Sequence, residues 1–543
     1  MRARLRRHGT VDRCAANPER IETVVASAGT RDAAMQGTGE TQMRQLTSLD
    51  TQFLAIESPT TTGHVGGLAV LDPTTAPGGT LTLQDLMAML RERLHLLPPL
   101  RWRLAEVPLG LDRPYWIEDP DFELEFHVRE LALAPPGDDE QLAEQVARIS
   151  SRHLDRSRPL WELYLIHGLP DGHVAVLSKM HHAMIDGMSG AEIMGILFDL
   201  APEGRDFPDG DGALQEYSGE RAPGQVEMLG RGVVGLPLQP LRMLRAAPGI
   251  LPHLDVAPSV LGIPGAEGIS RALSRMRNLA NGTRDGDILE RPKMRAPKTT
   301  FNGRISPHRR FSFGTLSLPA VKAVKTHFGV TVNDVVVALS TAAIRDWLIA
   351  HDELPDEPLL AQIPVSVRTD EERGTYGNKI SIMIAPLATD EADPLVRLQR
   401  THEAMKAAKD RHRALPAAAL QDITTFIPPA INARAARVAM QMGTRQGMRP
   451  LYNVVISNVP GPPIPLYMAG AQLTHNFPVS VITDGAGLNI TVLSYLDELD
   501  FGIVADRSQM PDLPRLIDSL RNALAELEEI AGLGTKLPLT ADA

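Results

Sequence analysis

The sequence predicts an α/β fold in two halves joined by a long crossover. Three observations carry that expectation. Short β-rich apolar runs alternate with segments of helical period along most of the 543 residues. From about 202 to 297 the composition shifts to Gly, Pro and charged residues broken by apolar patches, as in a crossover between domains. One junction, His181-His182-Ala183-Met184-Ile185-Asp186-Gly187, places polar side chains where a strand gives way to a helix, the point at which such sheets open a crevice.

Composition narrows the classes of function. A hydrophobic share of 43% with 22% charged residues is that of a globular protein with a large core. The net charge of −11 and pI of about 5.8 argue against nucleic acid as the main partner. A single cysteine, Cys14, excludes an internal disulfide framework and fits a reducing cytoplasm. No apolar run reaches the ~18 residues of a membrane span, so any membrane contact is expected to be peripheral.

Residues 1–42 form an extension with a basic start (Arg2, Arg4, Arg6, Arg7) and no apolar run after it, unlike a signal peptide. Small and polar residues predict disorder there. A transit peptide or an upstream start codon both account for it, with Met43 the natural alternative start.

The first half is drawn over 43–201. Val65–Leu71 reads as a strand, Leu81 to Leu97 as a helix ended by Pro98-Pro99, and Phe126–Val128 as a short strand. Leu142 to His153 is helical, and Leu163–Ile166 a strand following Pro159-Leu160-Trp161, whose Trp161 has the ordinary role of core filler. His173–Met180 is a buried strand. Ser189 and Glu192 have capping-box spacing, so a helix runs from about Gly190 to Leu200.

The second half is drawn over 298–543, after the 202–297 crossover. Arg310–Leu316 reads as a strand. Thr331 caps a helix with Asn333 and Asp334 in its first turn, where an acid suits the helix dipole whatever else it does. Gln362–Arg368 and Ile380–Pro386 are strands, and Asp393 with Pro394 opens a helix to about Asp410. Ala417–Met442 is largely helical but for Pro428-Pro429. Val454–Ile456 leads as a strand into Ser457-Asn458-Val459-Pro460-Gly461-Pro462. Two antiparallel strands (Leu488–Tyr495, Leu499–Val504) and an amphipathic helix around Leu516–Leu527 close the chain.

The chemistry available at the histidine pair is proton transfer, because imidazole titrates close to neutral pH. Adjacent side chains on extended backbone point opposite ways, so His181 and His182 have different tasks. Asp186 either orients the base or turns away to hold the loop, and Gly187 permits a tight turn. A zinc site is not expected, since there is no HExxH and Cys14 lies in the extension.

Leu49-Asp50 with Phe53-Leu54, then Pro159-Leu160-Trp161, the histidine motif, Asn333-Asp334 and Ser457-Asn458-Val459-Pro460-Gly461-Pro462 stand in one order along the chain. Together they resemble the bacterial wax ester synthase/diacylglycerol acyltransferase family, within the chloramphenicol acetyltransferase-like superfamily of CoA-dependent acyltransferases. The resemblance runs from about Met43 to Leu533. Where the family usually shows Met-His near the first strand, this chain has Gly63-His64.

The resemblance implies two chloramphenicol acetyltransferase-like halves, each a mixed sheet with flanking helices, and an active-site tunnel between them. It implies His182 as general base, with His181 and Gly187 beside it, and Asp186 as the residue that keeps the loop in shape, facing an arginine for which Arg368 is the candidate. Asn333 and Asp334 would lie near the site, Ser457, Asn458, Pro460 and Gly461 would line or brace it, and Pro159, Leu160 and Trp161 would be structural. The implied reaction moves a long-chain acyl group from acyl-CoA to diacylglycerol, giving triacylglycerol, or to a long-chain alcohol, giving a wax ester. No metal and no cofactor beyond acyl-CoA as co-substrate is expected, and the protein would sit in the cytoplasm against a membrane or lipid droplet. Two other readings are condensation or transesterification on carrier-bound substrates, and a non-catalytic lipid-binding relative; an intact His182, Asp186 and Gly187 weigh against the latter.

Overall fold

Strand β7 (Val174–His181) is apolar on both faces, which suits an interior strand covered on both sides. In the computed structural model, which describes residues 43–185, 190–205, 207, 223–224, 226–230, 296–366, 380–413, 444 and 449–533, it occupies such a place. Its six-stranded sheet runs β12 (Tyr467–Met468), β13 (Ala471–Val479), β2 (His64–Asp72), β7, β6 (Trp161–His167), β5 (Val128–Ala132). All pairs are antiparallel except β5 with β6. A small sheet of β1 (Arg44–Gln45), β4 (Tyr115–Glu118) and β3 (Trp102–Ala105) lies in the same half.

The second sheet runs β10 (Ile380–Leu387), β9 (Leu359–Ser366), β11 (Val454–Pro460), β14 (Leu488–Tyr495), β15 (Glu498–Asp506), β8 (Arg309–Ser317). It is parallel where β11 meets β9 and β14. Helices α7 (Leu318–Phe328), α8 (Val332–Ala350), α9 (Pro394–Arg413) and α10 (Arg515–Ile530) pack on one face of it. Val336, Leu339, Met405 and Leu520 share one core there with Ile363, Ile456, Val492 and Phe501. Thr331 and Asp334 form the capping box that starts α8. No single described helix is long and apolar enough to cross a membrane; the bent pair α7–α8 passes that test by composition, yet its apolar residues lie in this core.

In the first half the helices are α1 (Ser48–Ile56), α2 (Leu83–Arg93), α3 (Leu124–His127), α4 (Asp139–Ser150), α5 (His182–Ile185) and α6 (Gly190–Leu197). The strand expected at 126–128 is instead the turn α3 leading into β5. His127 decides this: it is buried, its Nδ1 lies 2.8 Å from the Trp161 carbonyl, and its ring stacks on Trp161 at 4.5 Å. The helix expected to reach Leu97 stops at Arg93 and continues as two 3₁₀ turns.

The halves are not independent of one another. Strand β13 belongs by sequence to the 298–543 segment, yet it pairs with β2 of the first sheet. It also crosses β15 so closely that a Cβ on Gly502 would meet the Pro478 carbonyl at 1.7 Å, so only glycine fits. Where they cross, Asp500 of β15 is buried and accepts from the Asn476 amide at 2.7 Å, with His475 Nδ1 at 3.2 Å. Phe477 and Val479 then share a core with Phe311 and Val504 of the second sheet.

Helix α6 ends three residues earlier than its periodicity suggests. Arg93 Nη1 reaches the carbonyls of Ile196 and Leu197, both at 3.1 Å, and Arg205 Nη2 those of Gly195 and Phe198 at 2.9 and 2.8 Å. Both arginines pair with buried Asp199, at 2.6 Å for Arg93 and 2.8 Å for Arg205. Asp199→Asn leaves the buried Arg93 without its counter-charge and is expected to cost about 3–5 kcal/mol, read as a lowered urea midpoint at unchanged slope.

Candidate active site

β7 ends at His181, and the two histidine amides are held by opposite neighbours. His181 N donates to the Leu160 carbonyl, in the Pro-Leu-Trp stretch before β6, at 2.9 Å; His182 N donates to the Gly63 carbonyl, before β2, also at 2.9 Å. An interior strand gives successive amides alternately to its two neighbours, and its side chains alternate with them. Pro159, Leu160 and Trp161 are thus buried bracing for the pair, and Trp161 Nε1 donates to the Leu100 carbonyl at 2.6 Å.

His181 is buried and faces Glu57, at the C-terminus of α1. Its Nε2 lies 3.3 Å from Glu57 Oε1, at ion-pair distance but off the line of a hydrogen bond, and its Nδ1 accepts from Ala183 N at 3.1 Å. Glu57 Oε1 also accepts from Gly63 N at 2.9 Å, and Oε2 from Arg156 Nη2 at 2.7 Å. Burial opposes the charge on Glu57, but the imidazole of His181, the guanidinium of Arg156 and the Gly63 amide together outweigh it. They hold the carboxyl below the usual range. His64, opposite His181 across β2 and β7, is turned away and donates from Nε2 to the Ser150 carbonyl at 2.6 Å.

His182 projects the other way and stacks on Phe53 of α1, with ring centroids 3.8 Å apart and planes at 14°. It retains some accessible surface, but protein surrounds the ring. Burial pushes its pKa down to about 4, the charge of His181 acts in the same direction, and its own backbone carbonyl acts against them. Nδ1 is buried with no other hydrogen-bond partner among the described residues. His182 is a neutral imidazole at neutral pH, as a general base must be.

In the second half, two of the predicted motifs meet. Asn458 Nδ2, near the end of β11, lies 3.5 Å from Asn333 Oδ1 in the first turn of α8. Asp334 is buried; it caps α8 and accepts from His402 Nδ1 of α9 at 2.8 Å, a role in the helix and its packing. Ser457 pairs with Thr491 in the sheet, and Pro460 with Ser494. Gly461 N donates to Ser494 Oγ at 3.1 Å, and a Cβ there would come within 2.1 Å of the Ser494 carbonyl. A cleft of about 460 Å³ among Asp346, Arg397, Asn522 and Glu526 has neither histidine in its lining.

Asp186, Gly187, the Ser189 cap and Arg368 lie outside the described residues, as do residues 1–42, 233–261 and 417–442. Reasoning from sequence missed Glu57, Arg156 and the part played by Gly63. A signal for Glu57 exists: it follows Phe53 by four residues, so α1 presents both to the histidines from one face.

Residues 46–336 match the family described as wax ester synthase/diacylglycerol acyltransferase catalytic domain, and residues 376–528 its C-terminal domain. A Mycobacterium tuberculosis protein named as a putative diacylglycerol O-acyltransferase is 34% identical over 492 residues, 90% of this chain and 91% of its own. Another from that species, a probable diacylglycerol O-acyltransferase, is 34% identical over 89% of this chain and 98% of its own. Among solved structures, the wax ester synthase/diacylglycerol acyltransferase of Marinobacter aquaeolei VT8 superposes with a TM-score of 0.63 at 30% identity, covering 90% of this chain and 100% of that one. A trichothecene 15-O-acetyltransferase from Fusarium sporotrichioides, with a TM-score of 0.54 at 15% identity over 90% of this chain and 96% of that one, shares the fold.

Gly63 has no room for a side chain, since a Cβ would stand 2.6 Å from His181 Nε2 and 3.0 Å from the Phe53 carbonyl. Gly63→Ala is therefore expected to displace His181 and cost about 1–3 kcal/mol, measured by thermal melting.

Proposed function

The chain belongs to the wax ester synthase/diacylglycerol acyltransferase family, and from that membership we propose how its residues carry out acyl transfer. The protein is an acyl-CoA-dependent O-acyltransferase that moves a long-chain acyl group to diacylglycerol, making triacylglycerol, or to a long-chain alcohol, making a wax ester. The observation that carries the mechanism is the neutral, stacked His182 at the end of β7.

Of the two ring nitrogens, Nδ1 is the one that can turn its proton toward the residue's own carbonyl, leaving the Nε2 lone pair for substrate. Nε2 takes the proton of the acceptor hydroxyl as that oxygen attacks the thioester carbonyl. The tetrahedral intermediate collapses, the carbon–sulfur bond breaks, and the imidazolium returns the proton to the departing CoA thiolate. The low pKa of the ring makes it a strong proton donor in that second step. The oxyanion needs a preorganised donor, for which Asn333 is the candidate: Asn458 holds its amide oxygen and so orients its Nδ2. A backbone amide near Gly187 is the other candidate. Transfer is direct, with acyl-CoA as co-substrate and no acyl-enzyme. Asp186 and Arg368 keep their proposed pairing across the halves.

A lipid acceptor calls for lipid contact, so the protein is proposed to work in the cytoplasm at the surface of a membrane or lipid droplet. The apolar and basic stretch 233–261 is the proposed contact. Loss of liposome flotation on deleting 1–42, with 233–261 intact, would refute that assignment.

Release of free CoA in the presence of diacylglycerol tests the reaction itself. His182→Ala should lower kcat by ~10²–10⁴-fold with the fold retained, and His181→Ala clearly less; equal losses would refute the division of roles. Because the base works deprotonated and its pKa lies at about 4, kcat/KM should stay level from neutral pH down toward 5 and fall only below that. An acid limb near 6.5, the unperturbed value, would mean that His182 is hydrated in the free enzyme.

A further inference from the structure

We propose that Arg309, carried by the second half, is a positioning residue for His182 of the first half. The inference rests on the reading of His182 as the base. Arg309 opens β8 and is buried. Its Nη2 donates to the Thr60 carbonyl in the first half at 2.6 Å, and its Nη1 to the Ser306 carbonyl in its own half at 2.7 Å. Its backbone N–H donates to Ser151 Oγ, just past α4, at 3.2 Å.

Among the described residues the guanidinium has no ion pair. Burial lowers its pKa to about 10, with Asp506 and Asp484 pulling the other way from beyond contact distance. A cation taken out of water to meet carbonyl oxygens is costly, and an uncharged side chain would pack the same interface more cheaply. What arginine adds is reach and a rigid fork that grips two carbonyls, here one in each half.

The gripped carbonyl belongs to a closed turn. Ser58 and Thr61 bond each other through their main chains at 3.0 and 3.1 Å, and Ser58 Oγ accepts from both Thr60 N and Thr61 N. His153 Nε2 donates to the Ser58 carbonyl at 2.8 Å. Glu57, which faces His181, directly precedes this turn, and Gly63, whose carbonyl holds the His182 amide, follows it after Thr62. A movement of Thr60 therefore passes through a stiff turn directly to the backbone of the base. Through Arg309 the second half sets where that base stands.

The test compares Arg309→Met, Arg309→Lys and His182→Ala by CoA release, per folded molecule, well below each melting temperature. Misplacing a base by a fraction of an ångström to 1 Å should lower kcat by ~10–10²-fold in Arg309→Met. KM for acyl-CoA should change less than about twofold, because substrate contacts are untouched. Arg309→Lys keeps the charge and one of the two donors, and should recover part of kcat. Arg309→Met with a reduced melting temperature but normal kcat per folded molecule would make Arg309 a structural cross-link only and overturn the proposal. So would a loss confined to KM, or a lysine variant no better than methionine. His182→Ala at the wild-type rate would instead overturn the assignment of the base, and the positioning role with it.

Discussion

Two backbone hydrogen bonds at the end of one strand set the geometry of the candidate site. His181 gives its amide to Leu160 and His182 gives its amide to Gly63. Because those acceptors belong to different neighbours of β7, the two side chains are committed to opposite surroundings before any packing is considered. One ring enters a polar pocket built on Glu57, and the other lies flat against Phe53. Phe53 lies in α1 and Glu57 caps its C-terminus. A short N-terminal helix thus shapes the environment of residues more than a hundred positions away.

The division of labour is electrostatic as well as geometric. Glu57 is a buried carboxylate, tolerated only because Arg156, Gly63 and His181 surround it. His182 has no carboxylate against it among the described residues, and burial, with the charge of His181 acting the same way, keeps its ring neutral. A carboxylate bonded to His182 would favour the protonated ring and leave less of it in the neutral form near neutrality. Keeping the acid on the neighbouring histidine separates a fixed charge beside His181 from the uncharged ring of His182 that the proposed proton transfer needs.

The chain is interlocked so that its two halves are held together. β13 leaves the second half to extend the first sheet and presses against Gly502 on the way. Asp199 with Arg93 and Arg205 ties the end of α6 to α2, and Asp199 and Tyr467 exchange backbone bonds that bring in β12. The helix that follows the histidine motif is therefore anchored at its far end by nearby Arg205 and by residues from two distant stretches. Buried ion pairs add little net stability but are costly to break, which favours one arrangement of these elements over its alternatives.

The sequence by itself determined the α/β class and most of the strands and helices, and it pointed to the histidine pair as the candidate site. These signals are local: β7 opens on the apolar run Val174–Leu177, Thr331 and Asp334 have capping-box spacing, and adjacent residues in a strand must diverge. The order of motifs along the chain carried the family. Tertiary structure alone decided the rest. β13 escaped notice because a bulge between Leu473 and His475 and the proline at 478 spoil its alternation, and its partner β2 lies about four hundred residues earlier. His127 turns a strand-like run into α3 through a ring partner 34 residues away. Glu57, Gly63 and Arg309 carry no motif, because what matters about them is a distance of about 3 Å to a group remote in sequence. Spacing along a chain encodes local geometry; only folding decides which buried charge finds which partner.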